Sequence, residues 1–152
     1  MDSSEGGSGM SVSVHDNWVY AHSVDYEKRR VVLYTIYPHV QPPEYTDVVF
    51  DGVVFHHFEQ QKIGNGVVPA NVLFDVEEAD PMFTLNEYKE LLARGRNHGW
   101  PGQDYDSLEN LSARLTASGA RCFRVSGVCG LDGFVFASSL QFLTRSSRAE
   151  VV

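Results

Sequence analysis

Residues 46–59 read TDVVFDGVVFHHFE, two apolar runs flanking Asp51-Gly52. An Asp-Gly pair between alternating hydrophobic residues is a signal for a two-residue hairpin, whereas a glycine within one strand marks a bulge or bend. We read the stretch as a single bulged strand, with the hairpin as the alternative. The choice decides the fold, because a hairpin makes two short neighbouring strands and a bulged strand makes one long, bent one.

Working outward, aromatic and β-branched residues dominate Trp18–Val24 and again Val31–Tyr37, with the polar turn DYEKRR at 25–30 between them and Pro38 closing the second run. This pattern predicts an antiparallel hairpin. Pro42-Pro43 marks a loop before the deciding stretch, and a second loop at 60–70 follows it. In Asn71–Glu77 (NVLFDVE), strand alternation places Val72, Phe74 and Val76 on one face and Leu73, Asp75 and Glu77 on the other.

Helical spacing then takes over. Thr84-Leu-Asn-Glu87 has the form of a capping box, and Leu85, Tyr88, Leu91 and Leu92 recur as one stripe up to Gly95. A second start follows the loop HGWPGQDY (98–105): Asp106 as cap, Glu109 completing the box, Leu108, Leu111 and Leu115 as the stripe, and Gly119 as the stop. Alternation returns at Phe123 and Val125, a glycine-rich turn spans Gly127–Gly133, and a last strand is expected over Phe134–Phe142. Strands, two helices, then strands predict an α+β fold: a mostly antiparallel twisted sheet with two short helices packed on one face. At 152 residues and 43% apolar content, one domain over 14–143 suffices, with Gly/Ser-rich residues 1–13 and the polar end 144–152 expected as disordered tails.

The formal charge of −8 is concentrated in residues 31–88, where nine carboxylates meet one base, Lys62. Such segregation, with a pI near 5.1, repels nucleic-acid phosphate and anionic lipid and favours cationic surfaces. Without a signal peptide or a long apolar span, the expected location is cytoplasmic, and Cys122 and Cys129 are expected as free thiols.

Candidate chemistry is sparse. His56 and His57, being adjacent in a strand, point to opposite faces and cannot chelate one ion together. One of them beside Asp75 and Glu77 from a neighbouring strand is the alternative metal- or carboxylate-dependent site. Cys129 lacks the glycine spacing of a nucleophile elbow, and the glycines at 127, 130 and 133 suit positive backbone angles in a turn better than a dinucleotide loop. No motif calls for a cofactor. The reading with most support is a docking face: Asp47, Asp51, Asp75, Glu77, Glu78 and Asp80 as its carboxylates, with Trp100 and Tyr105 as aromatic anchors beside proline-containing loops.

The runs PPEYTDVVFDGVVFHHFE, NVLFDVEE and FRVSGVCGLDGFVFASSLQF together resemble small bacterial α+β proteins of unassigned function, and the layout over residues 17–143 is similar to that of immunity-type proteins that neutralise polymorphic toxins. The resemblance implies a protein-binding module without catalytic residues, an acidic inhibitor of a basic toxin such as a nuclease. A homo-oligomer built through an exposed strand edge is the other non-catalytic reading.

Overall fold

A computed structural model describes residues 13–60, 62–63, 66–67 and 71–150; all but Ser13 of the tail expected at residues 1–13, and the chain's last two residues, lie outside that range. The chain runs β1 (Trp18–Asp25), β2 (Arg30–Tyr37), β3 (Glu44–Asp51), β4 (Phe55–Gln60), a small pair β5 (Lys62–Ile63) and β6 (Gly66–Val67), then β7 (Asn71–Ala79). Helices α1 (Pro81–Glu87), α2 (Lys89–Arg96) and α3 (Leu108–Ala117) follow, and β8 (Arg121–Cys129), β9 (Leu131–Ala137) and β10 (Ser139–Arg145) complete it. The α+β architecture, an antiparallel sheet carrying short helices, is as the sequence predicts.

Eight strands hydrogen-bond in the order β10-β3-β2-β1-β7-β8-β9-β4, every pair antiparallel. The two ends of that order belong together. β3 runs into β4 through residues 52–54, and β9 into β10 through Ser138, so one ladder extends from the pair Arg145–Tyr45 to the pair Leu131–Gln60. This ladder joins the ends and closes the sheet into a six-stranded barrel. Asp51-Gly52 is therefore a bend within a long strand, the reading preferred from sequence, while the expected strand Phe134–Phe142 is likewise bent, into β9 and β10.

The bend is held by backbone bonds: Val53 N–H donates to Arg29 O, Val54 N–H to Phe136 O, and Ser138 N–H to Asp51 O, all at 2.8–2.9 Å. Gly52 sits at φ +65°, and a Cβ there would fall 2.2 Å from Ser138 Oγ, so both conformation and space require glycine.

Strand alternation divides the apolar residues into two cores. Val31, Leu33, Val48, Phe50, Leu73, Val76, Phe123, Val125 and Val135 fill the barrel, and the Phe50 and Phe123 rings, from non-adjacent strands, approach to 5.9 Å between centroids across it. Phe55, Cys122, Phe134 and Phe136 point outward and meet Leu85, Leu92, Leu111 and Leu115 of the helices. Toward one end of the interior, Asn17 Nδ2 donates to Thr35 Oγ1 (2.9 Å), which donates to Thr46 O (2.7 Å), so these buried polar groups satisfy one another.

Four details depart from the sequence reading. Register shifts on both sides of Leu73 break the alternation of β7, so Leu73 is buried in the barrel with Val76 instead of facing away from it with Asp75 and Glu77. The helix expected to start at Thr84 begins at Pro81, because Asp80 accepts from Phe83 N–H (2.9 Å) and proline suits the first helical position; Thr84 is fully buried instead of capping. Tyr88 (φ −105°, ψ 23°) then divides the predicted helix into α1 and α2, giving three helices rather than two. The cap of α3 is Ser107, which accepts from Asn110 N–H (3.1 Å), and not Asp106.

The carboxyl-terminal segment also differs from the loose tail expected at 144–152. β10 reaches Arg145, Ala149 N–H donates to Tyr20 Oη (2.9 Å), and the Arg148 guanidinium lies 4.3 Å from the Tyr20 ring centroid.

Among the glycines assigned to a turn, Gly130 has φ +92°, but Gly133 lies inside β9 where its neighbour's backbone is close: a Cβ would sit 1.9 Å from His57 O. Gly133→Ala is thus expected to disrupt the β9–β4 ladder and lower stability by about 1–3 kcal/mol, read by urea denaturation. Thr35→Val, which strands Asn17 Nδ2 and Thr46 O without their partner, is expected to cost about 1–3 kcal/mol in the same measurement.

Candidate functional site

The outward face of β4 and β9, where α1 and α2 pack, gathers more ionisable groups than the remainder of the surface the sequence pointed to. β4 turns His57 and Glu59 to this side, β8 supplies Arg124, β9 supplies Asp132, and the α1–α2 junction contributes Glu87, Tyr88 and Glu90. Glu77 joins them from β7 because it pairs with Arg124 across the strands.

Arg124 is the centre of the group. Its guanidinium donates to Glu87, donates through Nε to Gly133 O (3.1 Å), lies 3.8 Å from Asp132 Oδ1, and stands 5.4 Å from the Tyr88 ring centroid. His57 Nε2 is 3.0 Å from Glu59 Oε1, and its ring packs edge-on to Tyr88 at 5.9 Å. Burial opposes the Arg124 charge, yet Glu87, Tyr88 and Asp132 hold its pKa above the ordinary value.

The neighbours respond to the same crowding. Burial pushes the Tyr88 phenol up to about 12, and Asp132, Glu87 and Glu59 add to that while Arg124 opposes it. Asp132 is raised above the ordinary aspartate value by burial, aided by Glu87 and Glu59 and opposed by Arg124 and by the Gly133 N–H that it accepts from. Tyr88 therefore stays protonated, a hydrogen-bond donor, at neutral pH, and the carboxylates outnumber the bases Arg124, Lys89 and Arg94. Such a surface can receive the guanidinium or ammonium groups of a partner.

The docking residues expected from sequence are dispersed. Asp47 is largely buried and bonded by Arg145 (3.1 Å), and Asp51 is bonded by Arg30 (2.7 Å). Arg121 donates to both oxygens of Glu78 (2.6 and 3.1 Å) and holds its carboxyl below the usual range. Asp80 is the α1 cap, and Asp75 accepts from Val76 N–H (2.8 Å). Asp47 and Asp51 lie on β3, separated from β7 by β2 and β1, so they sit on a different flank from Asp75, Glu77, Glu78 and Asp80. Of the carboxylates named from sequence, Glu77 alone reaches the group around Arg124.

The aromatic anchors are also reassigned. Tyr105 is buried, with the Arg96 guanidinium 4.5 Å from its ring centroid, and Trp100 is half-buried edge-on to Phe55 at 5.4 Å. Both belong to the helix-side core.

His56 and His57 do face opposite ways, as alternation requires: His57 meets Tyr88 and Phe134, while His56 packs on Phe58, which belongs to the barrel interior. His57 shares the outward face with Glu77, but β9 and β8 intervene between β4 and β7, so neither histidine is paired with Asp75 or Glu77. Among the described residues, no three His, Cys, Asp or Glu side chains converge so as to hold a metal ion. Cys122 is buried against the helices, and burial pushes its thiol up to about 11, unlike an activated nucleophile. No described helix is long and apolar enough to cross a membrane.

The sequence signal that was passed over is the repeated acid beside an aromatic, Glu59 after Phe58 and Glu87 before Tyr88, together with Asp132 between glycines.

A carboxyl pKa raised in the folded protein means that the folded state binds that proton more tightly than the unfolded chain. Asp132 ionisation then removes stability as pH climbs through and above its ordinary value of 3.8. Asp132→Asn is expected to raise Tm at pH 7 and to lose that advantage as the pH falls below about 4, measured by thermal melts across pH.

Comparison of the chain with protein-family models, with curated proteins and with solved structures finds no match in any of the three.

Proposed function

We propose that this chain is a protein-binding module whose acidic surface around Arg124 docks a cationic partner, in the manner of an immunity-type inhibitor of a basic toxin. The observation that carries the reading is the charge imbalance at that surface: five carboxylates, Glu59, Glu77, Glu87, Glu90 and Asp132, against three bases, Arg124, Lys89 and Arg94. Carboxylates crowded this way raise one another's ionisation cost in the free protein. A partner's arginines and lysines relieve that repulsion on binding and are steered toward it beforehand.

The half-buried Tyr88 supports the same reading, since an aromatic donor flanked by charges suits an interface centre. Lys89 and Arg94, on the rim, help to set the orientation of an incoming basic face. The interface would be protein-sized, with the barrel and its helices acting as a rigid mount for residues from six separate elements.

Glu77 and Glu90 are exposed. The double variant Glu77→Lys, Glu90→Lys is accordingly expected to fold as the parent does. Its association rate with a basic partner, identified by affinity capture and then purified, is expected to fall roughly tenfold, and the parent's rate to drop as salt rises from about 50 to 300 mM. An unchanged rate in the variant, with no salt dependence in the parent, overturns the proposal.

A further inference from the structure

The turn between β1 and β2, the bend between β3 and β4 and the loop after α2 meet around a cavity of about 470 Å³. That volume is within the range of small-molecule sites, roughly 300–1,000 Å³. Its lining is unusual for a chain of net charge −8: two arginines, Arg29 and Arg30, and His56 face one carboxylate, Asp25. Trp100 and Tyr26 supply aromatic side chains at its edge.

The polar groups divide into those already engaged and those free to act. Arg30 is tied to Asp51 at 2.7 Å, and Asp25 accepts from Lys28 N–H at 2.9 Å. Arg29 donates only its Nε, to Val53 O at 3.2 Å; its terminal nitrogens make no hydrogen bond or ion pair among the described residues. The imidazole of His56 and the indole N–H of Trp100 likewise have no hydrogen-bond partner among the described residues. His56 is neutral at pH 7, since burial, and then His22 and His57, hold its pKa below the ordinary value. It thus offers one donor and one acceptor.

Arg29 also occupies a backbone position that arginine does not favour. Its φ is +55°, the left-handed region that glycine and asparagine adopt more cheaply, by roughly 1 kcal/mol. A bulky cation kept at such a site, with its fork free beside a cavity, has a placement that the turn itself does not require. The Val53 carbonyl that restrains Nε belongs to the bend that closes the barrel, so the guanidinium is mounted on rigid backbone.

We propose that this cavity binds a small organic anion consisting of a planar aromatic ring that bears a carboxylate or phosphate. The free fork of Arg29 takes the anion in the bidentate geometry guanidinium favours, and the ring lies between Trp100 and Tyr26. His56 and the Trp100 indole hydrogen-bond polar atoms on the ligand. The site shares no lining residue with the acidic surface around Arg124, so it stands or falls independently of the partner-docking proposal.

The test uses calorimetry and heteronuclear NMR on the full chain with phenyl phosphate, benzoate, inorganic phosphate and uncharged benzyl alcohol as probes. At least one aromatic anion is expected to bind with a Kd of about 1 mM or tighter, shifting the Trp100 indole and His56 signals, while inorganic phosphate and benzyl alcohol bind more weakly. The tighter of phenyl phosphate and benzoate identifies the anion. Arg29→Asn, at ease in the left-handed region, is expected to retain the parent Tm and weaken binding roughly tenfold; Arg29→Lys restores part of it. Three results overturn the proposal: no binding of either aromatic anion, equal binding of inorganic phosphate and phenyl phosphate, or binding by Arg29→Asn that matches the parent.

Discussion

The rest of the structure depends on one two-stranded ladder, residues 45–60 against 131–145, which bends without losing its partner. A flat antiparallel sheet of this length would leave two open edges. Because both strands turn at the same level, Gly52 against Ser138, the first half of the ladder closes against β2 and the second half against β8. Closure gives the inward side chains an enclosed volume and the outward ones a curved surface for the helices. The glycine at 52 is obligatory twice over, for its positive φ and for the nearness of Ser138, and Gly133 is obligatory where β9 passes the His57 carbonyl.

That closure also rearranges the charge. The net −8 of residues 31–88 suggests one acidic side, yet four of its carboxylates are met by arginines that lie outside the segment: Glu87 by Arg124 from the packing of α1 on the sheet, and Asp47 by Arg145, Asp51 by Arg30 and Glu78 by Arg121 across the ladders. The last three pairs are set by strand register, across β3–β10, β3–β2 and β7–β8. The exposed members of these pairs contribute little to stability, since solvent screens them and long side chains lose freedom in forming them. Their effect is on the surface potential, which they level on the flank bearing Asp47 and Asp51. The imbalance that survives is local, around Arg124.

Two chemically opposite sites result, and β4 contributes to both. Its outward residues, His57 and Glu59, belong to the acidic group, while His56, one position away and on the other face, lines the basic cavity next to Phe55. A strand is well suited to this, as consecutive side chains diverge while a single ladder fixes both. A change that shifts the register of β4 by one residue would exchange these faces and disturb the two sites together.

What was legible in the sequence is what local periodicity encodes. The limits of β1, β2 and the two amphipathic helical stripes follow from alternation and 3.6-residue spacing, and the opposed histidines follow from the same rule. The strand reading of TDVVFDGVVFHHFE held because Asp51-Gly52 pairs with residues far along the chain rather than with its own flanks. Caps were misplaced where two candidates stood close, Asp80-Pro81 before Thr84 and Ser107 after Asp106, since the winning residue is the one whose oxygen reaches the free N–H groups. Partners separated by dozens of residues were beyond reach: Arg121 with Glu78, Arg124 with Glu87, and Arg145 with Asp47 are juxtaposed by ladder register and helix packing. The sequence by itself determined the class of fold and the total charge, because both are sums over local choices. Which carboxylates are neutralised, which crowd around Arg124, and which cations line a cavity was decided only by tertiary structure, because electrostatic interaction depends on distance in space and the chain does not record that distance along its length.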